Sequence, residues 1–192
     1  MKMKKLNLAA LFAALIIGIG SLGTVQAASP AGQNRMQNQS RLAKQVRKKL
    51  VTLPYYGVFD NLAYRIDGST VTLYGQVVKP TTKSDAGRSV ARIEGVSRVV
   101  NNIEVLPLSS FDDQLRYRTL RALQRTSALP RYFMGANPSL HIVVNRGHVT
   151  LTGVVNSNME RQLAYMTARQ VPGAFSVTND LHLEGEEGIG EE

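Results

Sequence analysis

The stretch VTLYGQV at residues 71–77 returns as VTLTGVV at residues 149–155, an offset of 78. At that offset Val71 falls on Val149, Leu73 on Leu151, Gly75 on Gly153 and Val77 on Val155. The register continues without a gap. Ala86 meets Ala164, Ile93 meets Val171, Gly95 meets Gly173, Val99 meets Val177, Asn101 meets Asn179, Ile103 meets Leu181 and Val105 meets Leu183. Upstream, Leu62 falls on Leu140 and Ile66 on Val144. A shared apolar skeleton under different surface letters marks a duplicated fold. Each unit has roughly 70 residues, which describes two small domains and not a solenoid.

One unit reads as follows. Over residues 41–53, Leu42, Val46, Leu50 and Leu53 recur at helical spacing, with Arg41, Lys44, Arg47 and Lys48 on the opposite face. Two runs with period-two alternation follow: Leu62, Tyr64 and Ile66, then Val71 and Leu73. Asp67-Gly68-Ser69-Thr70 between them is turn chemistry, so the pair is a hairpin with Ile66 opposite Val71. Pro80-Thr81-Thr82 stops the strand, and Thr82-Lys83-Ser84-Asp85 has capping-box form for a second helix. Gly95 is expected as its C-cap. Residues 96–105 close the unit as a third strand, with Val99, Asn101, Ile103 and Val105 on one side.

The second unit repeats this order. Ser110-Phe111-Asp112-Asp113 is expected to cap its first helix, and Asn145-Arg146-Gly147-His148 turns its hairpin. Ser157-Asn158-Met159-Glu160 caps its second helix, Pro172-Gly173 ends it, and residues 175–183 form the last strand. The fold class is therefore α+β: two small α-β-β-α-β sandwiches in tandem, each a three-stranded mixed sheet covered by two helices. Gly75 and Gly153 read as bulge or close-approach positions. Asn101 and Asn179 read as satisfying backbone groups beside the third strand.

Residues 1–27 read as a secretory signal: Lys2, Lys4 and Lys5, an apolar run, then Val25-Gln26-Ala27 with cleavage after Ala27. Residues 28–39 have no apolar period and are expected to be a lead-in without regular structure. The domains are expected at 40–106 and 110–184, and residues 185–192 form an acidic tail expected to be disordered.

The chain has no cysteine, which excludes disulfides, thiolate metal sites and a lipid on an N-terminal cysteine. Loss of Lys2, Lys4 and Lys5 lowers the net charge from +9 to +6. Residues 28–183 hold 20 basic and 9 acidic side chains, so the folded part seeks polyanions. His141, His148 and His182 share the strand parity that faces away from the apolar side. His141 lies opposite Thr152, about 13 Å along the hairpin from His148, which is too far for one zinc ion. They are expected on a wet sheet face. No nucleophile elbow, phosphate loop or zinc-protease signature occurs, and no acid/base pair can be argued. No catalysis, metal or cofactor is expected.

Asp67, Gly68, Val71, Leu73, Gly75, Val77, Gly95, Val96, Val99, Asn101, Ile103 and Val105 carry a resemblance to the BON domain family. Gly147, Val149, Leu151, Gly153, Val155, Gly173, Val177, Asn179, Leu181 and Leu183 carry it again, with a departure at Ala174-Phe175. The resemblance spans roughly residues 40–184. It implies an exported periplasmic or envelope protein, related to osmotically induced periplasmic proteins, that supports envelope integrity and binds phospholipid without catalysis. The absence of a lipidated cysteine implies a soluble form.

Within that frame the basic helix faces are the candidate site. Arg118, Arg121 and Arg125 share one face, with Tyr117 at its margin, and Arg131-Tyr132-Phe133 follow. Lys44, Arg47 and Lys48 are the counterpart in the first repeat. Cations with neighbouring aromatics suit an anionic bilayer, where charge attracts and rings enter at headgroup depth. The expected partner is an anionic phospholipid surface, bound peripherally, with envelope proteins as a second class. The alternative is a periplasmic protein-binding or chaperone-like module that uses the sheet faces bearing Thr72, Tyr74, Thr150 and Thr152. Export argues against nucleic acid, and neither repeat holds a GXXG clamp within residues 40–184.

Overall fold

The computed structural model describes residues 30–185, with side chains from residue 36. The expected signal segment and nearly all of the acidic tail lie outside the described residues. The first repeat comprises α1 (Pro30–Val51), β1 (Asn61–Asp67), β2 (Thr70–Val77), α2 (Pro80–Ala91), β3 (Arg98–Asn101) and β4 (Glu104–Val105). The second comprises α3 (Ser110–Arg125), a 3-10 turn at Pro130–Phe133, β5 (Leu140–Asn145), β6 (His148–Val155), α4 (Asn158–Arg169) and β7 (Ser176–Leu183). In each, the hairpin is antiparallel and the last strand runs parallel to the middle one. The parallel step requires a crossover helix, which α2 and α4 supply. The fold class is the one expected, two tandem α+β units.

The middle strands β2 and β6 carry the repeated heptapeptide. Val71, Leu73 and Val77 are fully buried under the helices, as are Val149, Leu151 and Val155. Ile66 lies opposite Val71 and Val144 opposite Val149. Two cores result. One gathers Leu42, Val46 and Leu50 with Leu73, Val90 and Ile103; the other gathers Leu115 and Leu123 with Ile142, Leu151 and Leu181. The repeated glycine of the heptapeptide is a close-approach residue. A Cβ on Gly75 would sit 2.1 Å from the Asn61 carbonyl oxygen, and one on Gly153 would sit 2.1 Å from that of Ser139. The two asparagines staple the last strand to the crossover helix: Asn101 Nδ2 donates to Lys83 O at 2.8 Å, and Asn179 Nδ2 donates to Arg161 O at 3.2 Å.

Several boundaries differ from expectation. Residues 30–39, expected without regular structure, belong to α1. Pro30 starts the helix at a position where proline's missing N–H costs nothing. Ala31, Gln33, Arg35, Met36, Gln37 and Gln39 then favour the helix against Gly32, Asn34 and Asn38, with no apolar period to betray it, and residues 36–41 are exposed. α2 begins at Pro80 with Lys79 as an N-cap lacking a side-chain bond, so Thr82 is not its cap. Thr82 turns inward and is buried. Gly95, at φ +92°, lies in the turn beyond the Arg92 cap and does not itself cap the helix. The cap of α3 is Ser109, one residue earlier than expected, accepting from Asp112 N at 3.1 Å. Ser157 caps α4 as expected, accepting from Glu160 N. Residues 96–105 are not one strand. Asn101 Oδ1 accepts from Ile103 N, which breaks the ladder between β3 and β4.

Candidate functional site

α1 has no acid anywhere along its 22 residues. Arg41, Lys44, Arg47, Lys48 and Lys49 are all exposed, opposite buried Leu42, Val46 and Leu50. On α3, Arg118, Arg121 and Arg125 are likewise exposed. None of these eight cations is among the salt bridges of the described residues. The acids of α3 are already engaged. The Asp112 carboxylate is buried and accepts from Arg146 N and Gly147 N, each at 2.8 Å. Asp113 pairs with Arg116, whose Nη2 reaches inward and donates to Val144 O at 2.7 Å.

The corner after α3 differs from expectation. Tyr132 is only 4% exposed, so it cannot present its ring to a surface. Its hydroxyl donates to Glu160 Oε2 at 2.7 Å and accepts from Asn156 N at 2.9 Å. Phe133 packs against the second core. Arg131 is ion-paired with buried Glu160. The Tyr132 hydroxyl, aided by Ser157 and Arg131, holds the Glu160 carboxyl below its ordinary range against the opposing effect of burial. The corner is therefore a structural lock between the turn and the N-terminus of α4. In the first repeat the corresponding N–H, that of Val78, is satisfied by Asp60 Oδ1 at 2.7 Å. The candidate basic site thus reduces to Lys44, Arg47 and Lys48 with their α1 neighbours, and Arg118, Arg121 and Arg125.

His141 also departs from expectation. It is 8% exposed, not on a wet face. Residues 55–60 of the first repeat lie along the outer edge of β5, where Ile142 N donates to Val58 O at 2.8 Å. Val58 and Phe59 pack against the second core, and Phe59 meets Tyr117 edge-on at 5.1 Å. His141 Nδ1 is 3.2 Å from Gly57 O, so that nitrogen carries the hydrogen. Nε2 then accepts from Tyr56 Oη at 3.3 Å. Burial lowers the affinity of His141 for a second proton and pushes the Tyr56 hydroxyl up to about 12. His148, by contrast, is exposed and bonded to Ser176 Oγ. Among the described residues there is no cluster able to hold a metal ion.

One surface feature was missed by sequence reasoning. Phe111 and Phe175 stack at 5.7 Å while remaining 43% and 72% exposed. The departure at Ala174-Phe175 was the available signal. The pairing with Phe111, 64 residues away, has no sequence periodicity to announce it.

Among the described residues no helix is long and apolar enough to cross a membrane. Comparison with curated proteins finds no match. Among solved structures, the C-terminal domain of CdsD, a structural protein of the type III secretion system of Chlamydia trachomatis, aligns at 12% identity and a TM-score of 0.27, covering 74% of this chain and 97% of that one. A second CdsD structure aligns at 12% identity and a TM-score of 0.28, covering 75% and 92%. Likenesses at this level carry no argument about the chain. The family comparison does: the BON domain pattern matches residues 38–107 and again residues 112–185, one match to each repeat, and the chain belongs to the BON domain family.

Proposed function

We propose that this chain is an exported envelope protein that docks reversibly on anionic phospholipid surfaces, supporting envelope integrity under osmotic stress. The observation that carries the reading is the unpaired basic surface. α1 contributes five exposed cations and no acid, and α3 contributes three more whose acidic neighbours are spent on internal bonds. Such cations contribute about 1 kcal/mol each near an anionic leaflet. Attachment of this kind is peripheral and salt-sensitive. Membership of the BON family supports the envelope setting.

The test is flotation of the protein without residues 1–27 on phosphatidylglycerol or cardiolipin vesicles. Binding is expected at low salt, falling steeply as salt rises, and absent on phosphatidylcholine. The triple substitution Lys44→Glu, Arg47→Glu, Lys48→Glu is expected to weaken binding by at least about tenfold. Failure to float with anionic vesicles at low salt overturns the reading. Suppressed aggregation of an unfolded client in that case would move the chain to the protein-binding class.

A further inference from the structure

We infer that the second repeat carries a membrane-entry tip, in which the stacked Phe111–Phe175 pair enters the headgroup layer of an anionic bilayer while Arg118 and Arg146 engage phosphates around it. This deepens the lipid-docking reading and rests on it. The two rings come from different elements, the first turn of α3 and the entry to β7, and stack at an interplanar angle of 27°. Exposed rings held in contact with one another at a domain's end are costly in water, and interfacial insertion offsets that cost.

The pair is seated, not incidental. Phe175 N donates to Gly147 O at 2.8 Å, and the ring lies against Gly147 so closely that a Cβ there would be 2.6 Å from Phe175 Cδ2. His148 meets the same ring edge-on at 6.1 Å. Phe111 and the Arg118 guanidinium both flank Gly173, where a Cβ would meet them at 3.5 and 3.7 Å. Arg146 stands exposed in the adjoining turn. Charge favours an anionic occupant, because Asp112 is buried beneath that turn and Asp113 is paired with Arg116. The tip is therefore apolar at its centre and cationic around it.

The first repeat is the internal control. At the 78-residue offset, Phe175 becomes Ser97 and Gly147 becomes Ser69, and these serines simply hydrogen-bond to each other at 2.6 Å. The same end of the first repeat is a crevice between α1 and the Gly68 turn, lined by Asn38, Gln39, Arg41, Leu42, Gln45 and Glu94 and by no aromatic ring. The two ends have diverged, and among the described residues only the end of the second repeat carries an exposed aromatic pair suited to entering a bilayer.

The chain has no tryptophan, so Phe175→Trp places a single tryptophan at the tip, which red-edge excitation reads without the seven tyrosines. On phosphatidylglycerol vesicles its emission should shift to the blue and be quenched by brominated acyl chains. A Tyr74→Trp reporter on the open sheet face of the first repeat should do neither. The double variant Phe111→Ser, Phe175→Ser, whose unchanged melting curve verifies its fold, should lose at least about tenfold in vesicle partition with an unaltered salt slope. Flotation of the wild type, with unshifted emission from the Phe175→Trp variant and full binding by the double variant, overturns the tip and leaves the electrostatic reading standing. No flotation of the wild type overturns both.

Discussion

Gly153 holds φ +117° and has no room for a side chain, since its missing Cβ would collide with the Ser139 carbonyl oxygen. Backbone cannot yield as the end of a flexible side chain would, so Gly153→Ala should destabilise the protein by about 3 kcal/mol. Gly68, at φ +58° but with nothing within 4 Å, should lose only about 1 kcal/mol on the same change, from backbone strain alone. Urea unfolding of the two variants checks the difference, and equal losses would refute the close-approach account. Glu160 gives a second test at this scale. Its folded proton affinity is lowered, so its contribution is present above the unfolded value of 4.5 and is lost as pH falls through the lower folded value. Stabilities of wild type and Glu160→Gln should therefore differ at neutral pH and converge toward low pH. Tyr132→Phe, which removes the strongest support of that carboxylate, should reproduce part of the effect.

The second hairpin shows what an element needs beyond its own letters. Arg146 at φ 52° and Gly147 at φ 80° form the tight left-handed turn that joins β5 to β6. Their two N–H groups are satisfied by Asp112, from the first turn of α3. Asp112→Ala should cost about 2–3 kcal/mol by stranding both donors, and amide exchange at Arg146 and Gly147 should accelerate selectively. The element order was legible in the sequence because alternation in β2 and β6, helical spacing in α1 and turn letters all obey local rules. The site was legible only in its charges. Exposed Lys44, Arg47 and Arg121 follow from helical phase, whereas the inward turn of Tyr132 depends on meeting Glu160 across the fold. The same limit explains the helical residues 30–39, which carry some propensity without pattern, and the break between β3 and β4, where the Asn101 side chain accepts from the backbone two residues on.

At the scale of the whole molecule, the repeats are joined by insertion of one loop and not by merged cores. Val58 and Phe59 leave the first repeat to complete the second, and Val58 O adds a single backbone bond to the outer edge of β5. That edge would otherwise be open for pairing with another chain. Val58→Asp should therefore lower the melting temperature of the second repeat and split one calorimetric transition into two. His141 makes this junction sensitive to pH. Burial lowers its folded proton affinity, so the unfolded or undocked chain takes the proton first. The junction is at full strength above the ordinary value of 6.5 and weakens as pH falls from there toward the lower folded value. Asp60, at the end of the same loop, has a folded affinity raised by burial, so its contribution runs the opposite way and grows as pH falls; it is common to wild type and His141→Asn and cancels in their comparison. Between about pH 7.5 and 5.5 the wild type should lose melting temperature. His141→Asn keeps a donor toward Gly57 O but cannot become charged, so its melting temperature should start lower and stay level over that range. Parallel decline of the two proteins would remove His141 as the cause, and a single transition retained in Val58→Asp would show that the repeats are coupled by something other than this loop.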